Sequence, residues 1–389
     1  MNLDEIRRDI DEIDRQLIPL LCRRMDCSRK VADFKKQAGM PVYDAAREQN
    51  ILDRVAKAAG EYGGAARAVY RSVMEQSRAL QYPSVAPQGA EPFVYHAPPE
   101  AGAVRRIACQ GVDGAYSFEA GRKLFPQAEI LAQRQFSDVF DAVERGEAEF
   151  GILPVENSWA GSVHEVYDQL IWRRFHIAGA VDLGVQHVLL GAPGAVLSDI
   201  RRVYSHQQAL RQCAGFLTSH GLEAVEAANT AVAVKTVAQG GDKSAAAIGS
   251  RRAGKLYGLQ VLAEHIADSD ANTTRFIAIS KALYCAPEAD RISVVFAMPH
   301  VTGSLYRTLA RFSDAGLNLT KIESRPIRGR QFEYLFYVDL VGSLHDPVTR
   351  GMLGALSQEL PEFLLLGNYA ETACRTERGE ALCIDPPQG

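Results

Sequence analysis

Seven cysteines in 389 residues are scattered, odd in number and contain no C-x-x-C pair. Neither a disulfide framework nor a zinc site is expected, and the pattern fits a reducing compartment. No G-x-G-x-x-G occurs, which removes the dinucleotide fingerprint. A near-miss to a phosphate loop, Gly249-Ser-Arg-Arg-Ala-Gly-Lys-Leu256, puts leucine where magnesium needs a hydroxyl, so nucleotide binding is not expected. No apolar run approaches the ~18 residues of a membrane span. A basic excess is missing too: 43 Lys and Arg face 47 Asp and Glu, a net charge of −4, which argues against a chain built to coat nucleic acid. The first residues, MNLDEIRRDIDEID, are charged and helical in pattern, unlike a signal or transit peptide. Together these features predict a cytoplasmic enzyme or sensor with no metal and no cofactor.

What is present is a globular balance, 47% apolar and 23% charged, over a length that calls for two or three domains. The clearest break is Pro83 to Gly102, PSVAPQGAEPFVYHAPPEAG, rich in proline and without a period of 2 or 3.6. Before it the pattern is helical almost throughout. After it, apolar runs such as RRIACQG, HVLLGA and TRFIAIS alternate with amphipathic helices, the α/β signature. A second break, YCAPEAD at Tyr284–Asp290, precedes a strand (Ile292–Met298), a helix (Gly303–Ala315) and two strands (Leu319–Ile327 and Phe332–Leu340). A helix (Val348–Glu359) and a strand (Phe363–Tyr369) complete the split-βαβ, ferredoxin-like plan. The expected architecture is multidomain: an all-α region over 1–83, a linker over 84–104, an α/β region over 105–282, a linker over 283–291 and an α+β region over 292–389.

Ile6, Ile10, Ile13, Leu17, Leu20 and Leu21 recur at spacings of three and four, and the stripe continues to Val31 and Phe34. That predicts a buried face on a helix of more than thirty residues, roughly 50 Å long, which one small domain cannot cover; a partner chain is expected. Pro19 lacks an amide donor, and a bend is expected there. Arg24, Ser28 and Lys35 fall within about one 40° sector of the helical wheel, a stripe roughly 16 Å long. Arg7 stands ~25 Å from Arg24 along the same helix, so both reach one small ligand only if Arg7 comes from another subunit. Asp44, Arg47 and Glu48 open a second helix, and Ser77 and Gln81, four apart, share a face of a third.

Taken singly, such charges are ordinary solvent-facing helix residues. As a set, Arg7, Arg24, Lys35, Asp44, Arg47, Glu48, Ser77 and Gln81 resemble the all-helical chorismate mutase family, in order and at its spacing, over residues 1–82. The resemblance implies an intertwined dimer whose two sites each receive Arg7 from the opposite chain. Chorismate to prephenate is a [3,3] rearrangement needing no nucleophile, proton transfer or cofactor, so catalysis comes from holding the chair-like conformer and stabilising charge on the ether oxygen. Arg7 and Arg24 would grip the two carboxylates. Asp44 and Glu48 would hold the ring hydroxyl and nearby polar groups, and Lys35 and Gln81 would donate to the ether oxygen.

Further polar clusters sit at the ends of predicted strands, where open α/β folds bind ligands. They are Gly111-Val-Asp-Gly-Ala-Tyr-Ser117, Pro154-Val-Glu-Asn-Ser158, Tyr204-Ser-His-Gln-Gln208 with Gln212, Asn229-Thr230, and Asn272-Thr-Thr-Arg-Phe276. Each alone reads as a turn or helix cap. Together with Tyr257-Gly-Leu they resemble the prephenate dehydratase family across residues 105–280, with departures at Cys109, Val112 and Gln207. The resemblance implies two α/β subdomains of the periplasmic-binding-protein type with substrate in the cleft between them. Prephenate loses a ring hydroxyl and the carboxylate para to it, so the protein must polarise the hydroxyl and give the departing carboxylate a poorly solvated pocket. Thr274 is placed at the hydroxyl as a hydrogen-bond donor. Ser117, Asn157, Ser158, Ser205, Gln212, Thr230 and Phe276 complete the prephenate set, and Arg275 pairs with a carboxylate or braces the loop. Glu156 and His206 carry both a structural and a functional reading.

Gly303-Ser-Leu-Tyr306 and Glu323-Ser-Arg-Pro326 resemble the ACT regulatory domain attached to prephenate dehydratases, where G-A-L-V and E-S-R-P segments bind phenylalanine between paired domains. Gly303, Ser304 and Leu305 with Glu323, Ser324, Arg325 and Pro326 are the expected L-phenylalanine site, with Ser304 and Tyr306 departing from the family pattern. In this order the resemblances imply a bifunctional chorismate mutase/prephenate dehydratase of phenylalanine biosynthesis, inhibited by L-phenylalanine, in a homodimer or larger homo-oligomer without nucleic-acid or membrane partners. One rival, a mutase fused to prephenate dehydrogenase, is disfavoured by the missing dinucleotide fingerprint. The other, a mutase fused to a non-catalytic metabolite sensor, is disfavoured by Thr274 and the complete mutase set.

Overall fold

The computed structural model describes residues 2–85, 92–269, 272–327, 330 and 333–372. Residues 86–91 of the expected linker, Phe332 of an expected strand and residues 373–389 of the C-terminal region lie outside that description. The chain divides into two units: residues 1–94, 295–337 and 344–363 in the first, and 95–294, 338–343 and 364–389 in the second.

Three helices begin the first unit. Helix α1 (Leu3–Ala38) is opened by a capping box in which Asn2 accepts from the Glu5 amide and Glu5 from the Asn2 amide, and is closed by Gly39 in the left-handed region at φ 63°. At 36 residues it is about 54 Å long. The helix is continuous through Pro19. Proline removes one donor to the Arg15 carbonyl, and Arg15 lies on an exposed turn where water can take that bond. Helix α2 (Ala45–Ala58) is capped by Asp44, whose side chain accepts from the Arg47 amide at 3.0 Å. Both pack on α3 (Gly63–Val85). Among the described residues nothing covers the apolar stripe of α1: Ile13 is 61% exposed and Leu17 57%.

Among the described residues eleven strands lead through the α/β region: β1 (Arg106–Gln110), β2 (Glu129–Gln133), β3 (Phe150–Asn157), β4 (Gly161–Ser162), β5 (His176–Gly184), β6 (Val188–Gly191), β7 (Arg202–Ser205), β8 (Glu223–Glu226), β9 (Ala245–Gly249), β10 (Gln260–Ala263) and β11 (Thr273–Ser280). The remaining strands are β12 (Arg291–Ala297), β13 (Asn318–Pro326), β14 (Tyr334–Val341), β15 (Glu362–Tyr369) and β16 (Glu371–Thr372). One sheet has the order β16-β5-β11-β3-β1-β2 with β4 against β3, and a second β10-β6-β9-β7-β8. In the first, β11 runs antiparallel between β3 and β5, while β1 is parallel to β2 and β3. Each sheet carries its own apolar core, one around Ile107, Phe118, Phe150 and Phe276, the other around Leu189, Val203, Leu217 and Ile248. Two α/β lobes result. Cys109 belongs to the first core, where burial pushes its thiol up to about 12, so it acts as an apolar residue. A third sheet, β13-β14-β12-β15, is built in the strand–helix–strand–strand–helix–strand order read from the sequence, with helices Ser304–Asp314 and Pro347–Glu359.

Candidate active site

A cavity of about 550 Å³ opens among α1, α2 and α3. Arg24, Lys35, Asp44, Arg47, Glu48, Ser77 and Gln81 all line it. Arg24 is oriented by Nη1 donating to Ser77 Oγ at 2.6 Å, and Ser77 Oγ donates in turn to the Val73 carbonyl at 2.7 Å. Gln81 Nε2 donates to the Ser77 carbonyl at 3.1 Å, while its Oε1 is buried without a partner. Lys35 Nζ rests on the Val42 carbonyl. Burial pulls the Lys35 pKa below the ordinary lysine range, opposed by the nearby carboxylates of Asp44 and Glu48. Glu48 takes both its oxygens to the Arg78 guanidinium. Arg7 is absent from the lining; its side chain is 66% exposed and faces Asp4 at 3.7 Å.

In the α/β lobes, Asn157 at the end of β3 sits beside Thr274 in the neighbouring strand, paired directly across the β3–β11 ladder. Asn157 Nδ2 donates to Thr274 Oγ1 at 2.8 Å and to Asn272 Oδ1 at 2.8 Å. Because Thr274 accepts from Asn157, its own hydroxyl proton is left to donate to a ligand. Asn157 Oδ1 accepts from the backbone amides of Trp159 and Ala160 and, at 3.2 Å, from Gln208 Nε2 in the other lobe. Asn272 Nδ2 donates to Gln212 Oε1 at 3.0 Å, and His187 Nε2 lies 2.9 Å from the same oxygen. A carboxamide oxygen only accepts, so Nε2 carries the His187 proton; burial lowers the imidazole pKa and keeps it neutral. The result is an uncharged relay of side-chain dipoles that joins the lobes and ends on Thr274.

The lobes meet again at the GVDGAYS loop. Tyr257 donates to the Asp113 carbonyl at 2.9 Å, Arg252 faces the Asp113 carboxylate at 3.4 Å, and Gly114 takes φ +93° with Ala253 against it. A Cβ at Gly114 would lie 3.2 Å from Ala253 Cβ, so this approach requires glycine. The near-miss phosphate loop is thus the start of helix Arg251–Tyr257, used for lobe packing.

Other expected prephenate contacts are placed differently. Ser117 donates to the Gln110 carbonyl and Ser205 to the Ile248 carbonyl at 2.8 Å, so both hydroxyls serve the framework. Ser158 accepts from the Thr273 amide, Thr230 begins a helix capped by Asn229, and Phe276 is in the core. Arg275 braces: it holds Asp182 with two bonds at 2.9 and 3.0 Å and pairs with Glu371. Strand alternation turns it to the face opposite Thr274, so of its two expected roles these contacts fit the brace. His206 is exposed and caps the helix Gln207–Gln212, where Gln207 fills the first helical position, a place that also suits proline.

A second cavity, about 460 Å³, lies at the start of helix Ser304–Asp314, lined by Gly303, Ser304, Leu305 and Tyr306 with Met298, Glu333, Tyr334 and Phe336 among others. Gly303 caps the helix at φ 80°. Glu323, Ser324, Arg325 and Pro326 stand on β13, an edge of the third sheet, and do not line this cavity.

The prephenate dehydratase family model matches residues 107–283, and the chorismate mutase type II model residues 6–82. The arogenate dehydratase/prephenate dehydratase 2, chloroplastic, of Arabidopsis thaliana is 40% identical over 276 residues, covering 68% of this chain and 72% of that one. The chain belongs to the prephenate dehydratase family. A bifunctional chorismate mutase/prephenate dehydratase of Aquifex aeolicus (strain VF5) is 29% identical over 376 residues, 94% of this chain and 97% of that one, so the likeness runs through both catalytic regions. The structure of a prephenate dehydratase from Arthrobacter aurescens in complex with L-Phe shares 30% identity at a TM-score of 0.62, covering 68% of this chain and 89% of that one. This dehydratase therefore carries a mutase ahead of it: it is a bifunctional enzyme that rearranges chorismate and then takes carboxylate and hydroxyl from prephenate, two steps toward phenylalanine. Sequence reasoning missed His187 and Arg78, and it named Gln208 and Asn272 only as members of polar clusters, without a role. His187 had a local signal, a polar residue at the edge of HVLLGA; Arg78 had none.

Proposed function

We propose that chorismate rearranges in the helical cavity and that prephenate breaks down in the cleft at Thr274 and Asn157, within a cytoplasmic homodimer or larger homo-oligomer, with the domain limits read from the sequence. The observation that carries this reading is the gathering of seven residues chosen by sequence, from three helices, around one cavity of substrate size, with only Arg7 missing. Arg24 and Arg47 give it a cationic wall for carboxylates, and Lys35 and Gln81 are donors for the ether oxygen as its C–O bond lengthens. The exposed apolar stripe of α1 is the surface a second copy covers, bringing Arg7 to the site.

In the cleft, Thr274 donates to the ring hydroxyl as the C–CO₂ bond breaks and its electron pair aromatises the ring, so the hydroxyl leaves as water with a proton supplied through the site. Asn157 holds Thr274 in the donating orientation. L-phenylalanine binds where the Gly303–Tyr306 turn and the Glu323–Pro326 edge strand of an ACT domain meet a paired domain, and the open β13 edge suits that pairing.

The test is chorismate given to the purified chain with no added cofactor, followed by chromatography. Chorismate is expected to pass through prephenate to phenylpyruvate, and L-phenylalanine to suppress the second product. Prephenate accumulating alone would overturn the assignment of the cleft, and indifference to L-phenylalanine that of the ACT domain.

A further inference from the structure

Arg78 was outside every sequence motif, yet it sits at the wall of the helical cavity with a side chain 9% exposed. Its Nη1 holds both oxygens of Glu48, and its Nε donates to Glu359 Oε1 at 3.3 Å. Glu359 ends the Pro347–Glu359 helix of the C-terminal region, is 10% exposed, and takes Arg311 Nη1 on its other oxygen at 2.7 Å. The Tyr82 hydroxyl also hydrogen-bonds to Glu359. The same helix supplies Ala355 to a small apolar core with Tyr82 of α3 and Val42, the residue whose carbonyl holds Lys35. Gly354 packs so closely on Pro92 that a Cβ would lie 2.8 Å from its ring. The C-terminal helix is therefore seated under two residues of the chorismate cavity, Glu48 through charge and Lys35 through packing.

A carboxylate such as Glu48, 21% exposed, keeps one orientation only if a partner holds it, and a partner shared between two carboxylates is placed by both. We propose that Arg78 and Glu359 are positioning residues of the mutase reaction: Arg78 sets the Glu48 carboxylate toward the ring hydroxyl of chorismate, and Glu359, from outside the helical domain, sets Arg78. The mutase site is completed by the C-terminal region of its own chain. This rests on the cavity being the chorismate site.

The test uses the full-length chain with Glu359→Gln, Arg78→Lys, Arg78→Met, the double variant Arg78→Met/Glu359→Gln, and Arg24→Ala. KM and kcat for chorismate are measured, with prephenate turnover in the same preparations. A contact that only stitched the fold would lower the amount of active enzyme, hence kcat at unchanged KM. Positioning of a binding carboxylate instead raises KM. Glu359→Gln is expected to raise KM about fivefold with prephenate turnover unchanged, and Arg78→Met to lower kcat/KM by up to about a hundredfold, partly restored in Arg78→Lys. The double variant is expected to be no worse than Arg78→Met, because Glu359 acts through Arg78. If Arg78→Met does not fold, the isosteric Glu359→Gln and Arg78→Lys decide the matter. An unchanged KM in Glu359→Gln, or additive losses in the double variant, would overturn the proposal. Full activity in Arg24→Ala would overturn the assignment of the cavity itself.

Discussion

Thr274→Val is expected to lower prephenate turnover by about 10²–10³-fold, the usual loss on removing one aligned donor from a reacting oxygen. The substitution keeps the shape of the side chain and its branching in β11, so the strand is preserved. Asn157 Nδ2 loses Thr274 but keeps Asn272 Oδ1 and the Thr273 carbonyl at 3.3 Å, and no buried donor is stranded. Thermal stability should hardly move, and chorismate rearrangement in the same chain, which does not use Thr274, serves as the internal standard. Thr274→Ser, which keeps the hydroxyl, should retain activity within about tenfold. The assay is prephenate consumption by chromatography. Turnover by Thr274→Val within a few-fold of the parent would remove Thr274 from the reaction and shift attention to Gln208 and Gln212.

Arg7→Ala and Arg24→Ala should each be nearly without mutase activity, by at least a hundredfold, yet mixing them should restore about a quarter of it. Half of the randomly assorted dimers pair one lesion with the other. In such a dimer one site holds both lesions, and the other holds an intact Arg24 and the partner's intact Arg7. One site in four is therefore whole. The geometry demands this result only if α1 spans two sites. Arg24 is fixed beside Ser77, and Arg7 lies seventeen residues away on one continuous helix, about 25 Å from it. Variants are refolded together, and initial rates of chorismate loss are compared with each variant alone. Recovery absent from the mixture, with dimers demonstrably exchanged, would mean that each chain completes its own site.

The parts legible in the sequence were those written in periodicity and in short motifs. A helix of more than thirty residues and the shared face of Arg24, Ser28 and Lys35 follow from spacing alone, since a helix converts sequence distance into position. The pairing of Asn157 with Thr274 was legible only in part, because two motifs 117 residues apart become neighbours through strand register. Arg78 and Glu359 were not legible at all: they lie 281 residues apart, in regions that each fold on a local pattern, and only packing brings them together. Arg275 was read from its motif either as a partner for a substrate carboxylate or as a brace, and its contacts with Asp182 and Glu371 fit the brace.

The relay that ends on Thr274 contains amides, a hydroxyl and a neutral imidazole, while the helical cavity is walled by Arg24, Lys35, Asp44, Arg47 and Glu48. Dissolved ions gather around exposed charges and blunt them within about 8–10 Å at ordinary salt, but they have no comparable hold on buried dipoles fixed by one another. With chorismate in the helical cavity and prephenate in the cleft, as proposed above, the two chemical steps are expected to answer differently to ionic strength. A saltier medium is expected to weigh more on the rearrangement than on the aromatisation, so the balance between making prephenate and destroying it would be set partly by the solvent in which the enzyme works.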